Sequence, residues 1–336
     1  MSNVCSGRIV DERSYDVDVD AHISEAELRA AHCWETDDRV PRRPDMTDFR
    51  RRLRYHQAQW REAHGHPIGS QPIVPLPNGG AGRPVGSRLP LDYARETGAT
   101  FVTTAALDAA KARTSFVEPQ QSFDHQRLWA DLLWTSALTF NLFGDLAADL
   151  PLADRAVHTW WPDAAGTVSD VRFAHSPGRL DPAYLGNLVA LDVALVSDLG
   201  DGTQGIVGVM AAYHEVNKPQ APKPQRLPRY RAVTDSSGLF KPGSLDAVNG
   251  TELIHIWLAH ALVLSMLQHP SDAWRWGRFV VVHPAGNSDF SDACTRYRDL
   301  LVDDSTFSSM TIEELLDSGA LPAPTTTALR ERYLPG

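Results

Sequence analysis

The sequence has few cysteines and no apolar run long enough to cross a membrane. Its three cysteines, Cys5, Cys33 and Cys294, match neither a disulfide framework nor a zinc site in their spacing. The longest apolar run, residues 256–267, is short of the roughly 20 residues that a bilayer span needs. The N-terminus shows no charged start followed by an apolar segment, so no export signal is visible. These absences predict a cytoplasmic protein without a membrane segment.

Positive charge is also in the minority. The chain has 32 Lys and Arg against 42 Asp and Glu, which gives a net charge of -10 over 336 residues. This balance argues against non-specific coating of nucleic acid but allows a local basic surface. With 43% hydrophobic and 22% charged residues, the composition is that of a globular protein and excludes disorder.

Changes in composition along the chain predict three parts. Residues 1–48 contain 12 acidic and 6 basic residues with little apolar periodicity, so we expect a loosely ordered arm. Residues 49–99 contain a basic amphipathic helix and then a loop rich in Gly and Pro. Residues 100–336 mix strand and helix patterns, which predicts an α/β (α+β) core domain.

Two basic segments are candidates for contact with nucleic acid. The helix that starts at Phe49 has no acidic residue between its first and last arginine, and residues 218–231 contain five basic residues and four prolines. Each segment is either a solvated surface or a surface that contacts phosphates, and we expect the second to be an extended loop. The residues predicted to bind DNA on these segments are Arg50, Arg51, Arg54, Lys218, Lys223 and Arg226.

The core domain begins with a long apolar helix pattern over residues 122–143 that ends at Gly144, a residue type typical of helix C-termini. Strand patterns follow at 167–173, 188–196 and 205–213. Other predicted elements are helices at 152–161, 252–267, 288–301, 311–316 and 325–333 and a buried strand at 278–283.

Asp192 is the most informative residue, because it lies inside the apolar strand pattern 188–196. An unpaired carboxylate there costs several kcal/mol unless something compensates it. One explanation is structural, either an ion pair with an arginine such as Arg179 or a hydrogen bond from a loop amide. The other is a role as an oxygen ligand for Mg²⁺.

The connection between the next two strands leaves the register open. Asp201-Gly202 is a strong hairpin signal. A two-residue turn there would place Asp192 opposite Ala211, whereas one added residue would place it opposite Met210. The sequence does not choose between the two.

Several of these segments resemble the PD-(D/E)xK nuclease superfamily, and within it a group of bacterial restriction-endonuclease-like proteins. The likeness rests on Asp192 in its apolar strand, the DG turn and the motif VGVMAAYHE at 207–215. It also includes FAHSPGR (173–179), FNLFG (140–144), HPAGN (283–287) and YRDLL (297–301). The resemblance implies a restriction-endonuclease-like core, with a central mixed sheet flanked by helices.

The resemblance also implies a site for DNA hydrolysis. An Asp on one strand and a Glu on the next hold Mg²⁺ in that superfamily, and a Lys two positions later positions water and phosphate. Asp192 matches the Asp, but Met210 and Ala212 stand at the Glu and Lys positions. We therefore expect a poor nuclease, either an inactivated enzyme or a natural pseudo-nuclease. Any Mg²⁺ would rest on Asp192 and the carbonyl of Ala211.

Neighbouring residues offer substitutes and further contacts. Glu215 could supply the missing carboxylate and Lys218 the missing ammonium, or Glu215 and His214 could cap the strand end. Ser176 and Arg179, in the turn before the Asp192 strand, could meet a phosphate or form an ordinary turn. Ser136 and Asn141 of the long helix could face the site.

These features predict a DNA-binding, nuclease-like protein of restriction or another anti-phage defence. The alternatives are a non-catalytic nucleic-acid-binding or assembly subunit and, without metal, an interaction protein in which Asp192 is an internal ion-pair partner. A homodimer and a partner protein of a defence system both fit this role.

Overall fold

A computed structural model describes residues 22–74, 82–121 and 123–335 of the chain. The helices in these residues are α1 (Glu25–Ala30), α2 (Pro44–Ala63), α3 (Leu91–Thr97), α4 (Thr104–Ser115), α5 (His125–Ala130), α6 (Thr135–Ala148), α7 (Leu150–Trp160), α8 (Leu227–Ser237), α9 (Ser244–Val248), α10 (Ile254–Leu267), α11 (Ser288–Arg298), α12 (Ile312–Asp317) and α13 (Ala323–Tyr333). The strands are β1 (Gly69–Gln71), β2 (Arg83–Val85), β3 (Thr167–His175), β4 (Leu191–Asp198), β5 (Gln204–Ala211), β6 (Trp274–His283) and β7 (Phe307–Thr311). None of the described helices has the length and apolar character to span a membrane.

Strands β3 to β7 form one sheet in the order β3-β4-β5-β6-β7. The first three strands pair antiparallel, and β6 and β7 continue the sheet in parallel with β5. Along β4, Val193 and Leu195 enter the core on one face, and Ala194 and Val196 enter the core on the other. Helices α6 and α7 pack on the first side and α10 on the second. The predicted architecture, a mixed sheet flanked by helices, is confirmed.

The register of the β4–β5 hairpin decides which side chains share a face. Asp198 pairs with Gln204, so the connection contains five residues rather than a two-residue turn. Val193 pairs with Val209, which places Asp192 opposite Met210. Of the two registers that the sequence allowed, the one with the added residue is confirmed.

The single long helix predicted over 122–143 is wrong, because α5 and α6 are separate helices. The N–H of Leu132 donates to the carbonyl of Ser87 at 3.0 Å. The carboxylate of Asp131 accepts the N–H of Leu133 at 3.1 Å. Because these N–H groups bond outside the helix, the α-helical pattern cannot continue through this segment.

Gly144 does not end a helix, as the sequence suggested, but lies inside α6. A Cβ at this position would lie 2.4 Å from the Cα of Ala106 in α4. Gly144 therefore allows α4 and α6 to pack closely, and this contact is long-range in sequence, so no local pattern could show it.

The expectation of a loosely ordered arm is wrong for residues 22–48, while residues 1–21 lie outside the described part. Ser24 and Glu27 form a reciprocal capping box at the start of α1. A short 3₁₀ helix follows at Thr36–Asp38, and α2 already begins at Pro44. Met46 then packs in the core on the α6 side of the sheet.

The arginines of α2 do not form the solvated surface that the sequence suggested. Arg54 donates three hydrogen bonds of 2.8–3.3 Å to Asp38, a fully buried carboxylate. Arg50 approaches the same carboxylate at 3.9 Å, and Arg51 lies over the ring of Trp34. The acidic segment before α2, which was predicted to be a loosely ordered arm, therefore covers part of the basic helix.

The predicted basic loop 218–231 is only partly a loop. Lys218 and Lys223 are exposed, but α8 begins at Leu227, and Arg226 is its N-cap residue. Arg229 donates to two backbone carbonyls before β4 at 2.6 and 2.8 Å. The exposed basic surface is therefore smaller than the sequence suggested.

Candidate active site

A cavity of about 370 Å³ lies where β4 begins and β5 ends. Because the strands are antiparallel, these two ends meet at the same edge of the sheet. Asp192 from β4 and Met210 and Ala212 from the end of β5 and just beyond it line this cavity. The other lining residues are Trp134, Thr135, Ser136, Ala211, Glu215, Val216, Asn217, His255 and Phe290.

Asp192 is partly buried and has no cation partner in the part of the chain that the structure describes. Its Oδ2 accepts the N–H of Ala211 at 2.8 Å. Among the described residues, no Lys, Arg or His nitrogen lies within 4.0 Å of its carboxylate, and Arg179 pairs with Glu118 instead. The ion-pair alternative is therefore wrong for Arg179, and the amide that Asp192 accepts belongs to the last residue of β5. One carboxylate oxygen, Oδ1, accepts no hydrogen bond from the described residues.

Glu215 lines the same cavity but is already engaged. One of its oxygens accepts the hydroxyl of Thr135, and Oε2 accepts the N–H of Tyr213 at 2.7 Å. Nδ1 of His214 lies 4.0 Å from Oε1, too far for a hydrogen bond. These contacts agree with the strand-capping alternative for Glu215.

Met210 in β5 and Ala212 just beyond its end lie on the same face of the sheet as Asp192. A thioether is a weak acceptor that prefers soft metals, and a methyl group donates nothing. Neither side chain can therefore bind a hard cation or pair with a phosphate.

Burial raises the pKa of Asp192 to about 6, the Ala211 amide opposes this shift, and the charge of Glu215 adds to it. An aspartate with that value is partly protonated near neutral pH. Ionisation of this carboxyl group in the folded protein is consequently unfavourable, as expected for a site that lacks its counter-charge.

Asp192→Asn is expected to stabilise the protein at pH 7. The folded protein keeps a proton on Asp192 that the unfolded chain releases near pH 4, so the free energy of unfolding falls as pH rises from about 4 to 6. Asparagine removes this loss and can still accept the Ala211 N–H, so the gain at pH 7 is about 2–3 kcal/mol. Urea unfolding of the variant and the natural chain at pH 4 and pH 7 measures this difference in free energy of unfolding. An equal difference between the variant and the natural chain at both pH values would contradict the raised pKa.

The cavity does not fit the magnesium site that Asp192 and Ala211 were expected to form. The described residues contain no group of three or more His, Cys, Asp or Glu side chains that could hold a metal ion. Glu215, the other carboxylate that lines the cavity, does not occupy a motif position, and Met210, which does, offers only sulfur. At the two carboxylate positions of the motif, a Mg²⁺ ion therefore has only Asp192 to bind here.

The turn before β4 is separate from this cavity. Arg179 is only 6% exposed, pairs with Glu118 and donates to the carbonyl of Ala174 at 2.9 Å. Ser176 is buried, and its Oγ has no hydrogen-bond partner in the described residues. Both contacts of Arg179 are structural, as in the ordinary-turn alternative.

Helix α6 contributes to the cavity differently from the expectation. Ser136 lines it, whereas Asn141 is buried and bonds to the backbone at Val102 and Thr100. Thr135, which sequence reasoning missed, binds Glu215. Its position at the first turn after the break between α5 and α6 was hidden by the pattern of one continuous helix.

The fold, with an acidic residue at the edge where β4 and β5 meet, can be compared with known proteins. A model of the PD-(D/E)XK nuclease superfamily matches residues 37–335. The chain belongs to this superfamily. No curated protein and no solved structure matches it. Members of the PD-(D/E)XK superfamily typically use divalent metal ions and act on nucleic acid.

Proposed function

We propose that this protein binds DNA at the edge of the sheet that carries Asp192 and that, with this sequence, it does not cleave it. The observation that carries the proposal is the register of β4 and β5, which sets Met210 opposite Asp192 and Ala212 two residues further on. These are the positions that the superfamily motif gives to Glu and Lys. The fold therefore keeps the position of the motif, but two of its three residues are replaced.

The unpaired Asp192 supports an origin in an active enzyme. A partly buried carboxylate with a raised pKa and no cation among the described residues lowers the stability of the fold at neutral pH. Its presence is explained if the ancestral site held an ion there. An inactivated enzyme of restriction or another anti-phage defence and a natural pseudo-nuclease share this origin, and both bind DNA in the proposal.

Binding to duplex DNA and its dependence on salt test the proposal. We expect fluorescence anisotropy with a labelled 20-base-pair duplex to show binding at 50 mM salt. With three phosphate contacts the affinity falls roughly 40-fold by 200 mM salt, because the bound cations release counterions from DNA. The same duplex incubated with Mg²⁺ stays intact. Absence of binding at 50 mM salt, or cleavage by the natural chain, would refute the proposal.

A further inference from the structure

A second, larger cavity lies beside the Asp192 cavity. It has a volume of about 580 Å³, and we call it the arginine pocket. Its guanidinium groups come from Arg50, Arg54, Arg83, Arg88 and Arg127. A volume of this size is typical of pockets that enclose a small organic ligand.

The two cavities share a wall made of consecutive residues. His214 lines the arginine pocket, and the next residue, Glu215, lines the Asp192 cavity. A second contact also links the two cavities. The guanidinium carbon of Arg127, in the arginine pocket, lies 3.8 Å from the ring centre of Trp134, and Trp134 lines the Asp192 cavity. A strand bound at Asp192 therefore has the arginine pocket as its immediate neighbour.

Buried carboxylates form ion pairs with several of the arginines that line the pocket. Asp131, only 4% exposed, accepts Nε of Arg127 at 3.1 Å and lies 3.6 Å from Nη2 of Arg88. Asp38 holds Arg54 in the same way. Such support fixes a guanidinium in place without using all of its donors.

Several donors remain available toward the pocket. In the described part of the chain, Nη1 and Nη2 of Arg127 donate no hydrogen bond. Asp131 occupies only the Nε of this guanidinium, and the Arg127 side chain is 34% exposed, so both Nη groups can donate to a bound ligand.

The walls of the pocket carry acceptors as well as donors. Carboxylates of Glu35, Asp37, Asp124 and Asp131 and the amide groups of Gln71 and Gln126 line it together with the five arginines. A phosphate alone needs only donors, whereas the edge of a nucleobase presents both donors and acceptors. The mixture therefore fits a whole nucleotide better than an inorganic anion.

We propose that the arginine pocket binds one unpaired nucleotide of a single DNA strand, next to the phosphodiester that lies at Asp192. This inference rests on the proposed function. A pocket that is partly closed by protein walls can accept a base that has left its stack, whereas the backbone of a regular duplex contacts open surfaces. Arg127 is the residue best placed to donate to the phosphate of this nucleotide.

Arg127→Gln tests the inference with two labelled probes, a 20-nucleotide single strand and the matching blunt duplex. We expect affinity for the single strand to fall roughly tenfold, because a charge-assisted contact is lost. The dependence of its log affinity on log salt becomes shallower by about 0.7. Affinity for the duplex changes less than threefold. Arg127→Lys keeps the charge and is expected to keep the salt dependence of the natural chain.

Arg330→Gln is the matched control, because Arg330 of α13 lines neither cavity and pairs with Asp317. It is expected to leave both affinities unchanged, and thermal unfolding verifies that each variant is folded. Equal weakening of both probes by Arg127→Gln, or no change in either, would overturn the nucleotide pocket while the proposed function stands. Failure of the natural chain to bind either probe would overturn both.

Discussion

The double variant Met210→Glu with Ala212→Lys is expected to acquire Mg²⁺-dependent cleavage of DNA. Glutamate at 210 faces Asp192 across the β4–β5 pair, so two carboxylates can share one ion. Lysine at 212 adds the missing cation in the same cavity. Because one positioned group typically contributes 10²- to 10⁴-fold in rate, we expect nicking at least about 10²-fold above the background measured with the natural chain. Nicking of a supercoiled plasmid with and without Mg²⁺ measures it.

The variant also gives a readout that is independent of cleavage. Two carboxylates directly opposite on neighbouring strands repel each other, so Mg²⁺ should raise the melting temperature of the double variant more than that of the natural chain. Adding Asp192→Asn removes both the cleavage and the Mg²⁺ effect. A variant that is stabilised by Mg²⁺ but cuts nothing indicates a natural pseudo-nuclease. One that does neither shows that residues 192 and 210 do not form an ion site.

Asp38→Ala is expected to destabilise the protein by about 3–5 kcal/mol, because it leaves the largely buried guanidinium of Arg54 without its counter-charge. Urea unfolding should show a lower midpoint with an unchanged slope. The double variant Asp38→Leu with Arg54→Met is expected to recover most of the loss, because it removes both charges together. A loss below about 1 kcal/mol for Asp38→Ala would show that this ion pair is not part of the stable fold.

The elements that periodicity predicted best are those whose burial is decided locally. The apolar run in β4 and the uninterrupted helix α10 are buried almost throughout, and both occur close to the predicted positions. The short strand β7 was missed. It forms by pairing in parallel with β6, a distant segment, and its residues after Phe307 are only partly buried.

The candidate site was predictable in type but not in detail. Asp192 was identified because the residues on both sides of it are apolar, and burying a carboxylate among such residues is unfavourable in free energy. This pattern is visible in the sequence alone. The partners of the α2 arginines could not be read, because Asp38 reaches Arg54 only after the chain has folded back on itself. The interruption before Thr135 depends likewise on a hydrogen bond between Leu132 and Ser87, which are far apart in sequence.

The five-residue connection between β4 and β5 has a consequence for how this site can change. Surface loops usually tolerate the loss or gain of a residue. Deleting one residue here would shift β5 by one position against β4 and turn its alternate side chains to the opposite face. The effect would reach position 210, roughly 23 Å along the strand from Thr203. The length of the β4–β5 connection therefore determines which residues of β5 face position 192. Homologous proteins with a connection of different length are expected to differ also in the residues at this end of β5.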